Sequence, residues 1–358
     1  MAVGRENNNH LTRREFLGRS ALGVAGAGTV LTGLQTLCSA AGQKRILVPP
    51  IRSTVIKVKD NNVISNENYD IEHLRSMINT GVKTLTRSES LEDAWKSMFE
   101  EKDRVGIKIN TEDPRMRTNP LIVDVIIDNL KMAGVKTQNI IVWDKTENNM
   151  ELSGYNIVTQ GDGPYYYASD TEGVGYERTS YYSSEFLDDK RSYFTEILTQ
   201  RVDKVINVPV LKDHNKAGIT CCLMSMALGS LNDDKDYGKF PYNYDPFVAE
   251  IYSQPPIYDK TVLHICDAIR PCYNGGPIGG SAWSWDNNTL YISKDPVALD
   301  QVALELIKSK RIDEREPSFE QVKACPIYIT SAAKIGLGNN VNYKVLTKEI
   351  DQLSHTGQ

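Results

Sequence analysis

The 358-residue chain has six cysteines but no C-x-x-C pair, which sets aside ferredoxin-type iron–sulfur ligation and four-cysteine zinc sites. Histidine is scarce as well, five in all, too few for a histidine-rich metal cage. There is no basic run. The 41 Lys+Arg stand against 46 Asp+Glu, a net charge of −5, and that balance argues against nucleic acid as the main partner. No nucleophile elbow, Walker loop, Rossmann glycine triplet or H-E-x-x-H is present, and no internal repeat or low-complexity tract. What remains is ordinary globular composition: 40% hydrophobic, 8% aromatic and 24% charged residues. A chain of this length buries a proper core without disulfide staples.

The first forty residues read as an address. Thr12-Arg13-Arg14-Glu15-Phe16-Leu17 has the twin-arginine pattern, a polar residue, two arginines, a spacer and two apolar residues. A weakly apolar stretch over 21–37 follows, too short and too small-sided for a membrane span. Cys38-Ser39-Ala40 offers small residues at the −3 and −1 positions, so cleavage is expected after Ala40. The expectation is a signal peptide over 1–40, with Arg13 and Arg14 as its recognition pair. Residues 41–358 then form one α/β domain, exported folded to the periplasm or another extracytoplasmic space. The twin-arginine export machinery is one expected partner, and no stable membrane span is expected after cleavage. That route carries folded proteins, often with a cofactor already loaded, so a metal ion is one expected cofactor. Cys221, Cys222, Cys266, Cys272 and Cys325 remain in the mature chain, an odd number that leaves at least one free thiol. Buried small hydrophobes are the preferred reading for them.

The mature chain alternates strand and helix patterns. β-branched or apolar runs at 54–59, 104–110, 140–143, 204–210, 261–266 and 290–292 predict strands. Helices are expected near 71–79, 91–99, 121–132 and 296–309, the last with Pro at its first turn. A strand, a helix and a strand over 104–143 form a βαβ unit, hence a mostly parallel sheet flanked by helices. Residues 161–193 break the pattern with Gly, Ser, Asp and seven tyrosines, which predicts an irregular insertion.

In open parallel sheets ligands sit beyond the carboxyl ends of strands, where successive loops converge. Five predicted strand ends carry polar residues: Lys108 to Asp113, then Arg115, Arg117 and Thr118; Asp144 and Lys145; Lys212-Asp213-His214; Asp267 with Gly275 and Gly276; and Lys294-Asp295 with Asp300. Lys212 and His214, two apart on an expected loop, suit an anion clamp and a general acid/base, with Asp267 orienting them. His214 could instead ligate a metal with Asp213 and Asp300, and a solvent-facing polar loop is the third alternative. Lys108, Asn110, Arg115, Arg117, Thr118, Thr220, Gly275 and Gly276 complete the candidate ligand-binding set. The arginines suit a carboxylate or phosphate at a helix start, or are simply solvated.

Several of these segments carry a family likeness. D-R-V-G-I-K-I-N (103–110), I-I-V-W-D (140–144), V-I-N-V-P-V-L-K-D-H-N-K-A-G-I-T (205–220), Y-D-P (244–246), D-A-I (267–269), G-G-P (275–277) and S-K-D-P-V-A-L-D (293–300) occur in the order seen in domain of unknown function 362. The chain resembles that family over about 85–310. The resemblance implies an α/β fold and a redox connection through a separate partner, because the iron–sulfur cysteines of some members are missing here. Relatives usually carry Lys-Asn shortly after the Thr of the L-K-D-H run, where this chain has Met224-Ser225. A remoter similarity, through residues 111–135, is to the N-terminal domain of lactate racemases, which use histidines with a nickel-containing organic cofactor. The equivalent loop here has Glu112 and Asp113 but no histidine.

Two functional readings follow. One is an exported enzyme, cofactor- or metal-dependent, acting on a small anionic substrate. The other is a non-catalytic periplasmic protein that binds a ligand or partner, with the tyrosine-rich segment as part of its surface.

Overall fold

The computed structural model describes residues 47–183, 191–232 and 244–350; the expected signal segment 1–40 and part of the 161–193 insertion lie outside them. In chain order the strands are β1 (Ser53–Lys59), β2 (Ile64–Ser65), β3 (Asn68–Tyr69), β4 (Val105–Ile109), β5 (Ile140–Trp143), β6 (Tyr165–Tyr166), β7 (Tyr176–Ser183), β8 (Arg191–Thr195), β9 (Lys204–Val208), β10 (Val210–His214), β11 (Gly218–Thr220), β12 (Thr261–Cys272), β13 (Thr289–Ser293) and β14 (Tyr343–Glu349). Ten of them build one sheet with the order β14-β1-β13-β12-β9-β4-β5-β6, to which the β10–β11 hairpin is added alongside β12. Neighbours are parallel except at β13, which runs antiparallel to both β1 and β12.

Helices cover both faces, as a mostly parallel sheet requires, because its strands are apolar on both sides. Along β9 and β12 alternate residues enter different cores. Ile206, Leu263 and Ile265 pack with the helices Ile71–Thr86 and Pro120–Met132. Val205, Cys266 and Ala268 pack with the helices Cys222–Gly229, Phe247–Tyr252, Pro296–Asp313 and Ile327–Lys334. The fold class expected from the alternating pattern, a helix-flanked and mostly parallel sheet, is what the chain adopts.

Local chemistry explains the boundaries that matter. Asn119 caps the helix Pro120–Met132, its side chain accepting the Leu121 N–H at 3.0 Å, with Pro at the first position. The Asp295 carboxylate caps the helix Pro296–Asp313 through Val297 N (2.8 Å) and Ala298 N (2.9 Å). It also accepts from the Ser53 hydroxyl and from Asn339 N, and so ties β1 and the approach to β14 to that helix.

Three local expectations change. Residues 210–214 form a strand rather than a loop, because β10 pairs with both β11 and β12. The 161–193 region contains β6 and most of the antiparallel β7–β8 hairpin, with tyrosines packed across it. The predicted 261–266 strand runs on to Cys272, extended by pairing with β10 and β13.

Candidate functional site

The carboxyl ends of β4 and β5 lie side by side and are joined through one carboxylate. Asp144 Oδ1 accepts from Lys108 Nζ (2.7 Å) and Lys145 N (2.8 Å), and Oδ2 accepts from Thr111 N and Thr111 Oγ1 (both 2.7 Å). Four donors fill the carboxylate's acceptor positions, so Asp144 fixes its neighbours and has no capacity left as a base. Lys108 is buried, and its ammonium also donates to Ile109 O at 2.6 Å. Its stem runs against Gly229, where an added Cβ would stand 2.8 Å from Lys108 Cε and 2.9 Å from Nζ.

Lys212 is 0% exposed, and its ammonium donates to Asn110 Oδ1 at 2.9 Å. Burial pushes its pKa below the ordinary lysine range, with Glu112, Asp113 and Asp144 pulling the other way. Lys212 thus stands behind Asn110 rather than in the cleft. By holding the amide oxygen it turns the Asn110 NH₂ group outward as a donor.

His214 is positioned by a short turn. Lys216 N and Ala217 N both donate to its Nδ1, at 3.1 and 3.2 Å, so the neutral ring carries its proton on Nε2. Burial, with Lys216 and Lys212 nearby, lowers its pKa to about 4. Around neutrality His214 is a hydrogen-bond donor through Nε2, without a free ring nitrogen to take a proton or a metal. Its ring meets Tyr244 edge-on at 5.2 Å.

These groups line a cleft of about 400 Å³ together with Glu112, Lys145, Thr146, Asn149, Thr220, Met224, Ser225, Leu228 and Pro277. The volume suits a small molecule. Ser225 projects from the helix Cys222–Gly229 into this wall. It is 6% exposed, and among the described residues its Oγ has no hydrogen-bond partner. The Met224-Ser225 pair is therefore part of the cleft itself.

The structure brings Lys108, Asn110, His214 and Thr220 to this cleft, with Lys212 immediately behind. The other candidates stand elsewhere. Thr118 is consumed internally, its hydroxyl donating to Val208 O and accepting from Asn110 N. Arg117 donates to Ser153 O and Pro114 O, and Arg115 pairs with Asp113. Asp113 in turn accepts from Gly279 N at 2.6 Å. Asp213 alternates with Lys212 and His214 along β10, so its carboxylate faces the other way and accepts from Gly276 N at 2.7 Å. Gly275 and Gly276 line a second cavity of about 400 Å³ with Asp213 and Arg311. An added Cβ at Gly276 would run into the Asp213 backbone.

Asp267 is buried against the Tyr69 hydroxyl, Asn119 N and Ile269 N, and burial raises its pKa to about 6. It does not meet Lys212 or His214. Because β13 is reversed, Lys294 and Asp295 open onto a different cavity, of about 590 Å³, bounded by Ser53 and Thr54 at the start of β1. Asp300 caps the helix Cys222–Gly229 through Cys222 N (2.7 Å) and Leu223 N (3.2 Å). Hence Asp213, His214 and Asp300 do not converge as metal ligands.

Sequence reasoning missed Gly229 as part of the site; Thr111 stood only within the polar run after β4, and Ser225 only as half of the Met224-Ser225 pair. Asp144 stood out only as a polar strand end; its central place depends on the β4–β5 pairing. Gly229 carried no local signal, because it matters only through the lysine that passes it.

Among the described residues, no helix is long and apolar enough to cross a membrane. No curated protein matches the chain. Among solved structures, a crystal structure of a protein from Thermotoga maritima is similar at 9% identity and a TM-score of 0.43, covering 69% of this chain and 60% of that one. The chain thus spans less than two thirds of that neighbour's length. A match to the family described as a domain of unknown function (DUF362) extends over residues 105–305, from β4 into the helix Pro296–Asp313, and takes in every residue that lines the cleft. The chain belongs to the DUF362 family.

Proposed function

We propose that this chain is an exported protein whose cleft at the ends of β4, β5 and β10 binds a small anionic molecule. The observation that carries this reading is the saturation of Asp144. With that carboxylate filled, the polar groups left to a ligand are mostly donors, Lys108, Lys145, the Asn110 amide, His214 Nε2–H and the Ser225 hydroxyl, against the one further carboxylate in the lining, Glu112. Charge-assisted donors in a largely water-excluded wall favour a carboxylate or phosphate. Met224 supplies an apolar side to the same wall, which suits a ligand with a compact hydrocarbon part.

The same geometry favours binding over proton transfer. His214 Nδ1 and the Asp144 oxygens are occupied, so the described cleft residues hold no acid/base pair of the kind expected from Lys212, His214 and Asp267. Donors aimed at one point would still polarise a bound carboxylate or stabilise an oxyanion.

Titration calorimetry of the purified chain against phosphate, sulfate and short mono- and dicarboxylates tests the proposal. At least one should bind with salt-dependent affinity, and Ser225→Ala should weaken it roughly tenfold, the scale of one charge-assisted hydrogen bond. Failure of every anion, or equal binding by the variant, removes the reading. Export is tested separately: Arg13→Lys with Arg14→Lys should leave the precursor in the cytoplasm. A variant still processed after Ala40 and exported would end the twin-arginine part.

A further inference from the structure

Two adjacent thiols and a third from 45 positions along the chain meet at the start of the helix Cys222–Gly229. Cys221 Sγ lies 3.4 Å from Cys266 Sγ on β12 and 3.9 Å from Cys222 Sγ. A carboxylate oxygen of Asp300 and the Cys221 and Cys222 sulfurs all fall within 4.8 Å of one another. Cys221, Cys222, Cys266 and Asp300 are all fully buried. Asp300 receives two backbone N–H groups there, but among the described residues no cationic side chain offsets its charge. A carboxylate in an apolar interior ordinarily has a cationic partner or a metal, or else takes up a proton.

The Cys221–Cys222 spacing matches one kind of ligand. Zinc–sulfur bonds of about 2.3 Å in a tetrahedron hold the sulfurs roughly 3.8 Å apart, and a carboxylate oxygen binds zinc at about 2.0–2.2 Å. Cys221 precedes the first helical turn and Cys222 begins it, so both side chains reach the same point despite being adjacent. We infer that Cys221, Cys222 and Asp300 form a site for a thiophilic divalent cation of the zinc class, and that Cys266, which touches Cys221 but stands outside that group of three, turns in as the fourth donor when the metal binds. Each ligating thiol gives its proton to solvent as the metal binds, and no oxidant or reductant is involved. A four-donor site of this kind is structural. It joins β12, the start of the helix Cys222–Gly229 and the helix Pro296–Asp313, and it holds Met224 and Ser225 in register with the cleft.

The test is cobalt(II) and zinc(II) binding by the full chain, purified under reducing conditions and stripped with a chelator. One equivalent of cobalt should give thiolate-to-metal charge-transfer absorption that zinc abolishes. Cys221→Ser, Cys266→Ser and Asp300→Asn should weaken uptake at least tenfold, while Cys325→Ser leaves it unchanged. Should the cluster variants fail to fold, X-ray absorption on the zinc-loaded unsubstituted chain decides: sulfur scatterers at about 2.3 Å support the site. A purely oxygen and nitrogen shell overturns it, as does an absence of charge transfer. A Cys221–Cys266 disulfide in the protein mapped without reduction overturns it too.

Discussion

The Lys212 ammonium and the Asn110 amide oxygen meet at 2.9 Å although 102 positions separate them in the chain. This contact joins β10 to the loop after β4. It decides which end of the Asn110 amide faces the ligand, so Lys212 acts on the cleft by positioning another residue.

Replacing Lys212 with Met keeps the stem and removes the charge. Because burial lowers the pKa of Lys212, the folded chain holds that proton less firmly than the unfolded chain does. The cost is present at neutral pH and fades as pH rises towards the unfolded value of about 10.4. Lys212→Met should therefore melt at the same temperature or higher at pH 7, while anion affinity falls about tenfold or more. Calorimetry and thermal melting check the pair of effects. A large loss of stability with unchanged affinity would make the lysine purely structural.

His214 should weaken the fold in acid. Burial lowers its pKa from the ordinary 6.5 to about 4 in the folded chain, so its stabilising neutral form is fully present above 6.5 and is lost as pH falls towards 4. Relative to His214→Asn, which keeps an acceptor for the Lys216 and Ala217 amides, the parent should lose about 3 kcal/mol between pH 7 and 4. Urea unfolding across that range measures it. Nitrogen NMR should show Nε2 protonated and Nδ1 bare at pH 7, and a midpoint near 6.5 would refute the assignment.

Asp144→Asn should be severe. The change leaves Lys108 buried without its counterion and turns two acceptor positions into donors facing Lys145 N or Thr111. Breaking a buried pair from one side costs about 3–5 kcal/mol. Chemical denaturation of the variant reads this directly, and a loss below about 1 kcal/mol would show that the hub is not needed to hold the two strand ends.

Asp295→Ala separates the two ends of the sheet. It removes a helix cap together with the Ser53 and Asn339 contacts, and should cost about 2–3 kcal/mol. Because Asp295 lies at the reversed end of β13, anion affinity should be unchanged. Coupled loss of affinity in folded protein would place the ligand at that end instead.

The fold class was legible in the chain because β-branched runs and helical periodicity are local. The exact 140–143 strand and the capped helix at 120 follow from side chains within a few positions. The site was legible in part. Lys108, Asn110, His214 and Thr220 were found because polar residues at parallel strand ends converge by topology. Asp300 and Lys294 were misplaced because the direction of β13 depends on pairing with β1, more than two hundred residues upstream. The role of His214 was misread because its tautomer is set by two backbone amides, and neither can be identified before the turn at 215–217 exists. Ser225 was marked only through the family resemblance, as half of the Met224-Ser225 pair; packing shows that, among the described residues, its hydroxyl lacks a partner.

The position of β1 bears on how the molecule comes to be complete. Its two neighbours in the sheet are β13 and β14, both drawn from the last seventy residues of the chain. Through most of synthesis β1 has an open backbone edge on both sides, and such long-range pairing is slow to form. The sheet around β1 therefore closes only after residues 289–349 have been made. Loss of even the final strand would return one edge of β1 to solvent, leaving a nascent or truncated chain with a surface ready to pair with other strands.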